Sequence, residues 1–227
     1  MEEVLAFLRE LALNNNREWF NANKSRYQRV QGIWNEFCQE LIDEIARFEP
    51  VVAPLSVKNC TYRIYRDTRF SADKSPYKTH FGAFICPGGK KSMHAGYYFH
   101  VGTGLGNSYP QAHMLAAGNY CYDPRAVKIL REDISDEWPN FSANVVGAAD
   151  KRFAMEMEGA LKRVPRQYPP EAPYADWMRV KAFCLYTHVD DEFVLAPNLA
   201  KRVATLFATT QPFTAFVNRA VDYVMHG

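Results

Sequence analysis

The segment from Arg63 to Lys78, which we call the basic motif, concentrates side chains that can bind anions. An arginine guanidinium binds two oxygens of a phosphate or carboxylate at once, and a lysine adds a point charge. The cations of the motif are Arg63, Arg66, Arg69, Lys74 and Lys78. This composition predicts a site for a phosphate- or carboxylate-bearing ligand, whether or not a reaction follows binding.

Other polar residues in or near the motif suit the same chemistry. Asp67 and Asp73 are candidate catalytic residues, because they can orient the arginines, hold Mg²⁺ beside a phosphate or act as a general base. Tyr77 offers a hydroxyl donor to a ligand. His100 is a candidate ligand-binding residue and proton carrier, with a hydrogen-bonded core histidine as the alternative. His80 is a further candidate for the anion site.

The basic motif has two other interpretations. Arginine–aspartate pairs also fasten loops to strands, so the motif can be an internal ion-pair brace in a non-catalytic structural or interaction protein. Between Lys58 and Lys91 there are eight Lys or Arg and two Asp, a local charge of +6, and this positive region also suits a nucleic-acid backbone. Nucleic-acid binding is less favoured, since the net charge is only +2 and no helix-turn-helix, RRM or zinc-finger pattern is present.

Composition predicts one globular domain over residues 1–227. Apolar residues make up 48% of the chain, enough for a core without disulfides or metal. The cysteines are Cys38, Cys60, Cys86, Cys121 and Cys184. They form no C-x-x-C pair, which favours reduced thiols in a cytoplasmic protein, with no metal site and no cofactor indicated. We expect no secretory signal and no membrane partner, because no basic region precedes an apolar run and no stretch offers about 18 consecutive apolar residues.

Helical periodicity dominates both ends of the chain. Apolar residues at helical spacing predict helices over 3–13 and about 17–48, the second with Trp34, Phe37, Leu41 and Ile45 on one buried stripe. Further helices are predicted from Asp123-Pro124 to Ile134, over 174–179, over 198–208 and from Gln211 onward. Residues 154–161 favour a short helix or turn, and residues 142–152 a loop or strand.

Alternating periodicity appears in the middle of the chain. It predicts strands over 60–66, 79–86, 95–102 and 180–188, with a turn at Pro87-Gly88-Gly89. Residues 107–122 show no clear pattern. We therefore predict an α+β fold, in which an antiparallel β-sheet packs with N-terminal and C-terminal helices and the basic motif joins two strands at one end.

The basic motif also resembles the signature of a bacterial family, domain of unknown function 2461. The matching residues are Arg63, Arg66, Asp67, Arg69, Phe70, Asp73, Lys74 and Tyr77. Resemblance extends to residues 14–20, Gly96-Tyr97-Tyr98 with His100, residues 161–165 and residues 180–183, and so covers nearly the whole chain. The family's usual glycine and Asp-His-Pro are replaced here by Gln167 and Glu171-Ala172-Pro173. The resemblance supports the location of a site and implies no particular activity.

Overall fold

The computed structural model describes residues 1–105, 113–119 and 123–226. The α-helices of these residues are α1 (Glu2–Leu13), α2 (Arg17–Ala22), α3 (Lys24–Ala46), α4 (Val57–Cys60), α5 (Pro124–Asp136), α6 (Trp138–Asn140), α7 (Ala175–Arg179), α8 (Asp191–Leu195), α9 (Leu199–Ala208) and α10 (Gln211–His226). A 3₁₀-helix spans Pro50–Val52 and a π-helix spans Phe141–Val146. The strands are β1 (His80–Ile85), β2 (Gly96–Gly102), β3 (His113–Asn119), β4 (Ala154–Met155) and β5 (Phe183–Val189).

These strands form an antiparallel sheet in the order β1-β2-β3-β5-β4. Phe99 of β2 lies opposite Ala83 of β1 and Leu115 of β3, and Leu115 lies opposite Thr187 of β5. The predicted α+β class, with an antiparallel sheet between N-terminal and C-terminal helices, is confirmed.

The two faces of the sheet differ in what covers them. The first, the helical face, buries Phe81, Phe99 and Leu115 against α1, α3 and α9. Side chains alternate along a strand, so the intervening residues point to the opposite face, which we call the cavity face. Its side chains include His80, Phe84, Tyr98, His100, Met114, Ala116, Cys184 and Tyr186.

The N-terminal helices follow their predicted apolar stripes, with one interruption. Trp34 and Ile45 are among the buried residues of α3. The predicted helix over 17–48 is divided at Asn23, whose side-chain amide donates to Trp19 O at 2.9 Å. Because this bond satisfies a carbonyl at the end of α2, the chain leaves helical geometry there and begins α3 afresh.

The C-terminal half forms a second buried cluster. The predicted helices over 174–179, 198–208 and from Gln211 are confirmed as α7, α9 and α10. Helices α5, α7 and α10 pack their apolar stripes around the π-helix and one end of β5. The largest side chains of this cluster are Phe141, Trp177, Phe183, Phe213 and Phe216.

Three predictions on local structure are wrong. Residues 60–66 form no continuous strand: α4 occupies their start, and Thr61 and Tyr65 make only isolated bridges, to Ala83 and Tyr77. Residues 154–161 begin with β4, which pairs with β5, and form no helix. The segment predicted as loop or strand over 142–152 starts inside the π-helix. At residues 154–155 the pairing with β5, a contact distant in sequence, outweighs local propensity.

The predicted turn and three of the predicted strands are confirmed. Gly88 and Gly89 both adopt φ of 77°, which only glycine reaches without strain, and the chain turns there between β1 and β2. Cys38, Cys60 and Cys86 are buried and form no disulfide, Cys184 is also buried, and Cys121 lies outside the described residues. No helix of the described ranges is long and apolar enough to cross a membrane.

Candidate functional site

The basic motif forms a hairpin whose two arms meet at Ile64 and Lys78. Lys78 N donates to Ile64 O at 2.8 Å, and Arg66 N donates to Pro76 O at 2.9 Å. At the base of the hairpin Tyr77 is buried and stacks on Phe20, with ring centroids 3.9 Å apart. The hairpin is therefore anchored on the N-terminal helices, and its loop (residues 67–75) projects beyond them.

Asn15 holds the second arm of the hairpin through the backbone of Tyr77. Its side-chain amide donates to Tyr77 O at 2.9 Å, and its Oδ1 accepts from Tyr77 N at 3.1 Å. The amide thus satisfies both polar groups of one residue, as a neighbouring strand would. This contact fixes the backbone immediately before Lys78.

Arg66, Asp73 and Ser75 form a compact network, which we call the brace. Arg66 Nη1 donates to the Asp73 carboxylate, to Ser75 Oγ and, at 2.9 Å, to Ser75 O. Asp73 Oδ1 accepts from Ser75 N at 2.9 Å. The Arg66 and Asp73 side chains are only 21% and 26% exposed, so the pair is engaged within the loop and shielded from water.

The remaining charges of the loop lie in solvent. Arg69 Nη2 donates to Asp67 Oδ2 at 2.6 Å, and this hydrogen bond lowers the pKa of the Asp67 carboxyl. Lys74 Nζ donates to Thr68 O at 3.0 Å. Phe70, at the tip, is 96% exposed beside Arg69. Arg63 is also exposed.

A cavity of about 370 Å³ opens on the cavity face of the sheet, next to the base of the hairpin. Its described lining consists of Tyr62, Lys78, His80, Phe84, Lys90, Ser92, Tyr98, Ala116, Gly118, Asn119 and Cys184. Aromatic and small residues predominate, two lysines are present, and the described lining includes no carboxylate. A second, more open depression of about 570 Å³ lies beside the hairpin loop, where Lys74 and Arg17 contribute to its wall.

Two cations flank one aromatic ring in the cavity. Lys78 Nζ lies 5.4 Å and Lys90 Nζ lies 5.8 Å from the centroid of the Tyr62 ring. Burial, with Arg63 as a second cause, lowers the pKa of Lys78. Burial also lowers the pKa of Lys90; Cys60 opposes this effect, and Lys91 and Lys58 add smaller contributions that lower the pKa.

A histidine pair and a tyrosine continue the site along the sheet. The His80 and His100 rings lie 4.4 Å apart between centroids, and Tyr98 Oη is 3.0 Å from His100 Nδ1. Burial, then Lys78 and Arg66, lower the pKa of His80 to about 4. His80 is therefore neutral at pH 7, and its buried Nδ1 has no hydrogen-bond partner among the described residues.

Small residues keep the cavity open. A Cβ on Gly82 would lie 2.6 Å from Tyr98 Oη, and a Cβ on Gly118 would lie 2.1 Å from Phe183 O. Gly118 also has φ of 134°, which other residues rarely adopt. Ala116, between them on the same face, leaves further room for a ligand.

The structure divides the predicted site residues into separate groups. Lys78 lines the cavity, and His100 lies beside it on the cavity face. Tyr77 is buried under the hairpin, while Arg66 and Asp73 form the brace. The exposed loop side chains and Arg63 complete the set, so the predicted residues do not converge on one point.

Sequence reasoning missed several residues of the cavity. Lys90 contributes to the local charge of +6 but was not among the predicted site residues, and neither were Tyr62 and Tyr98. Asn119, which donates to Met93 O at 2.5 Å, belongs to β3, for which no strand was predicted. Only the local positive charge pointed toward Lys90.

A separate ion-pair network ties α1 to the sheet. Asp191 accepts from Arg9 and lies 2.9 Å from His113 Nε2, while His113 Nδ1 accepts from Gly102 N at 3.2 Å. Since both nitrogens of the buried His113 have partners, the network is structural.

Comparison with protein families now adds to this geometry. A family model described as "Conserved hypothetical protein (DUF2461)" matches residues 3–216. The chain belongs to this family. No curated protein and no solved structure matches it. The match includes the whole basic motif and every described residue that lines the cavity, so both are parts of the DUF2461 domain.

Proposed function

We propose that this DUF2461 protein binds a small organic anion, bearing a phosphate or a carboxylate, in the cavity at the base of the hairpin. The observation that carries the proposal is the placement of Lys78 and Lys90 on one cavity wall, around Tyr62, with no carboxylate in the described lining. Two cations that lack an acidic partner attract an anion of matching charge.

The energetics of the two lysines support this proposal. Their lowered pKa values mean that burial and neighbouring cations make the charged amines costly in the free protein. A bound anion reverses part of that cost, because an opposite charge at short distance favours the ammonium form. Aromatic and small residues around the lysines suit the apolar body of a ligand.

The brace has a supporting role in this proposal. Arg66 and Asp73 satisfy each other, so we assign them to holding the hairpin and, through it, the backbone of Lys78. In this proposal, Arg66, Asp73 and Ser75 act as an internal brace, and Lys78 at the end of the basic motif binds the anion. Arg63, Arg69 and Lys74 lie at the surface near the same hairpin, where a larger anion such as nucleic acid would meet them once Arg69 exchanged Asp67 for it.

We place the protein in the cytoplasm as part of the proposal. Buried thiols without a disulfide at Cys38, Cys60 and Cys86 support a reducing compartment.

Thermal unfolding in the presence of candidate anions tests the proposal. The panel holds phosphate, sulfate, nucleotides, sugar phosphates, small carboxylates and a short oligonucleotide at matched ionic strength, with and without Mg²⁺. A ligand at a hundred times its Kd adds about 2.7 kcal/mol of stability, which raises the melting temperature by several degrees. We expect Lys78→Met to abolish the rise produced by the best anion.

The matched control is Lys128→Met, at a lysine that is 75% exposed on α5. It removes the same charge far from the cavity lining and should retain the full rise. If both variants keep the rise in melting temperature, the anion binds outside the cavity. If no compound raises the melting temperature of the wild-type protein, the proposal is refuted.

A further inference from the structure

The amine of Lys78 differs from its neighbour in how it is held. Lys90 Nζ donates to Lys58 O, which tethers it at the cavity wall. No hydrogen bond or ion pair joins Lys78 Nζ to the described residues, and Nζ lies 5.4 Å from the centroid of the Tyr62 ring. Lys78 is thus the lysine whose amine is available to react inside the cavity.

The surroundings of Lys78 favour the uncharged amine, which is the nucleophilic form. Lys78 is half-buried, Arg63 adds positive charge beside it, and Lys90 lies near the same Tyr62 ring. An amine that is desolvated and close to other cations loses its proton more readily, and each unit by which its pKa falls gives about ten times more free amine at pH 7. The lowered pKa of Lys78 agrees with this geometry.

His80 supplies a proton carrier in the same cavity. It lies two residues after Lys78, and both side chains line the cavity. His80 is neutral at pH 7, and its buried Nδ1 has no partner among the described residues. A neutral imidazole can accept and return one proton, as carbinolamine formation and dehydration require.

We propose that Lys78 forms an imine with the carbonyl carbon of an anionic oxo compound, while Lys90 holds the carboxylate or phosphate of the same molecule. This inference rests on the proposed function and names the substrate class of the same cavity. The lone pair of Lys78 Nζ forms a C–N bond, and the carbonyl π electrons move to oxygen, which takes a proton. The carbinolamine then loses water to leave a C=N bond, so one amine and one carbonyl give one imine and one water.

Borohydride trapping tests the inference on the full chain. The protein is incubated at pH 7 with pyruvate or with pyridoxal 5′-phosphate, reduced with sodium cyanoborohydride, and analysed by intact mass and peptide mapping. We expect one reduced adduct per chain, at Lys78, formed before any adduct at exposed lysines such as Lys128. Adducts spread evenly over exposed lysines would overturn the inference.

Variants separate the parts of the proposal. Lys78→Arg retains the cation, cannot form a stable imine, and should lose the adduct while keeping a thermal shift with a non-carbonyl anion such as lactate. Lys90→Met should keep Lys78 as the labelled residue and need more probe for half-maximal labelling. His80→Gln should slow trapping at Lys78.

The failure of this inference differs from the failure of the proposed function. Thermal stabilisation by lactate or pyridoxine 5′-phosphate without any Lys78 adduct from the carbonyl probes would leave anion binding intact and refute the imine. Absence of both the stabilisation and the adduct would refute the two together. An unfolded Lys78→Arg variant would not decide the matter, because peptide mapping of the wild-type chain locates the adduct independently.

Discussion

The loop and the base of the hairpin use their charges in opposite ways. In the loop, Arg66 is paired with Asp73 and Arg69 with Asp67. At the base, Lys78 enters the cavity without an acidic partner among the described residues. Both regions belong to one short motif, and in sequence their cations are indistinguishable.

The comparison teaches that charge density alone does not locate a binding site. A cation becomes available to a ligand when its position on the hairpin prevents pairing, and Lys78 meets this condition because the backbone around it is fixed to Ile64 and Asn15. The charges of the loop satisfy each other over short sequence distances, which a flexible loop readily permits.

The largest expected effect concerns pH at the base of the hairpin. His80 has a pKa of about 4 in the folded chain and about 6.5 when unfolded, so the unfolded state binds its proton first as pH falls. The stability that neutral His80 contributes is complete above pH 6.5 and is lost between pH 6.5 and 4, by about 3 kcal/mol. Urea unfolding of wild type and His80→Gln across this range measures the difference.

We expect the free energy of unfolding to fall less steeply with acid in His80→Gln than in wild type. His226→Gln, at an exposed histidine near the end of α10, is the control and should match wild type. Equal pH slopes for wild type and His80→Gln would show that His80 is not buried in its neutral form.

The second prediction concerns the brace. Asp73→Ala removes the acidic partner of a largely buried arginine and leaves Arg66 with only its serine contacts. An ionic hydrogen-bond partner lost at such a site costs about 2 kcal/mol, which should appear as a lower urea midpoint at pH 7. The control, Asp67→Ala, acts on an exposed carboxylate of the same loop and should leave the midpoint unchanged. If Asp73→Ala kept full stability, the brace would have no structural role.

Much of the fold followed from the sequence, because its long helices have strong periodicity. The apolar stripe of α3 and the alternation of β2 predicted these two elements. Gly88 and Gly89 predicted the turn between β1 and β2. The strand β3 gave no signal, since all seven of its residues are buried and it contains Ala116, Ala117 and Gly118, which have low strand propensity. The break between α2 and α3 at Asn23 depends on one hydrogen bond from the Asn23 side chain, and the spacing of apolar residues gives no sign of that bond.

The candidate site was located only in part, for a related reason. The charges of the basic motif indicated the hairpin that borders the cavity, yet sequence does not reveal that Arg66 meets Asp73 while Lys78 lines the cavity. Lys90 joins Lys78 only because Lys90 N donates to Asn59 O, a contact across thirty-one positions of the chain. Such contacts are set by tertiary packing and have no local pattern.

A third, smaller effect tests the cavity itself. Gly82→Ala would place a methyl group 2.6 Å from Tyr98 Oη, so the ring must shift and weaken its bond to His100. We expect a loss of about 1 kcal/mol in stability and weaker anion binding, both measurable by thermal unfolding with and without ligand.

Gly32→Ala is the control, and its stability should change in the opposite direction. Nothing lies within 4 Å of a Cβ added at Gly32 on α3, and alanine favours the helix by about 0.5–1 kcal/mol. Unchanged anion binding in Gly82→Ala would place the ligand away from the floor of the cavity.

The smallest expected effect is at Arg69, and it discriminates most directly between the two regions. The Arg69 side chain is 77% exposed and pairs only with the nearby Asp67, so Arg69→Gln should leave the urea midpoint unchanged. If the anion binds at the base of the hairpin, Arg69→Gln should also leave the ligand-induced thermal shift unchanged, whereas Lys78→Met removes it. If instead Arg69→Gln abolishes the shift and Lys78→Met retains it, the anion binds at the exposed loop. In that case Arg69 must exchange Asp67 for the ligand, and the cavity would have another role.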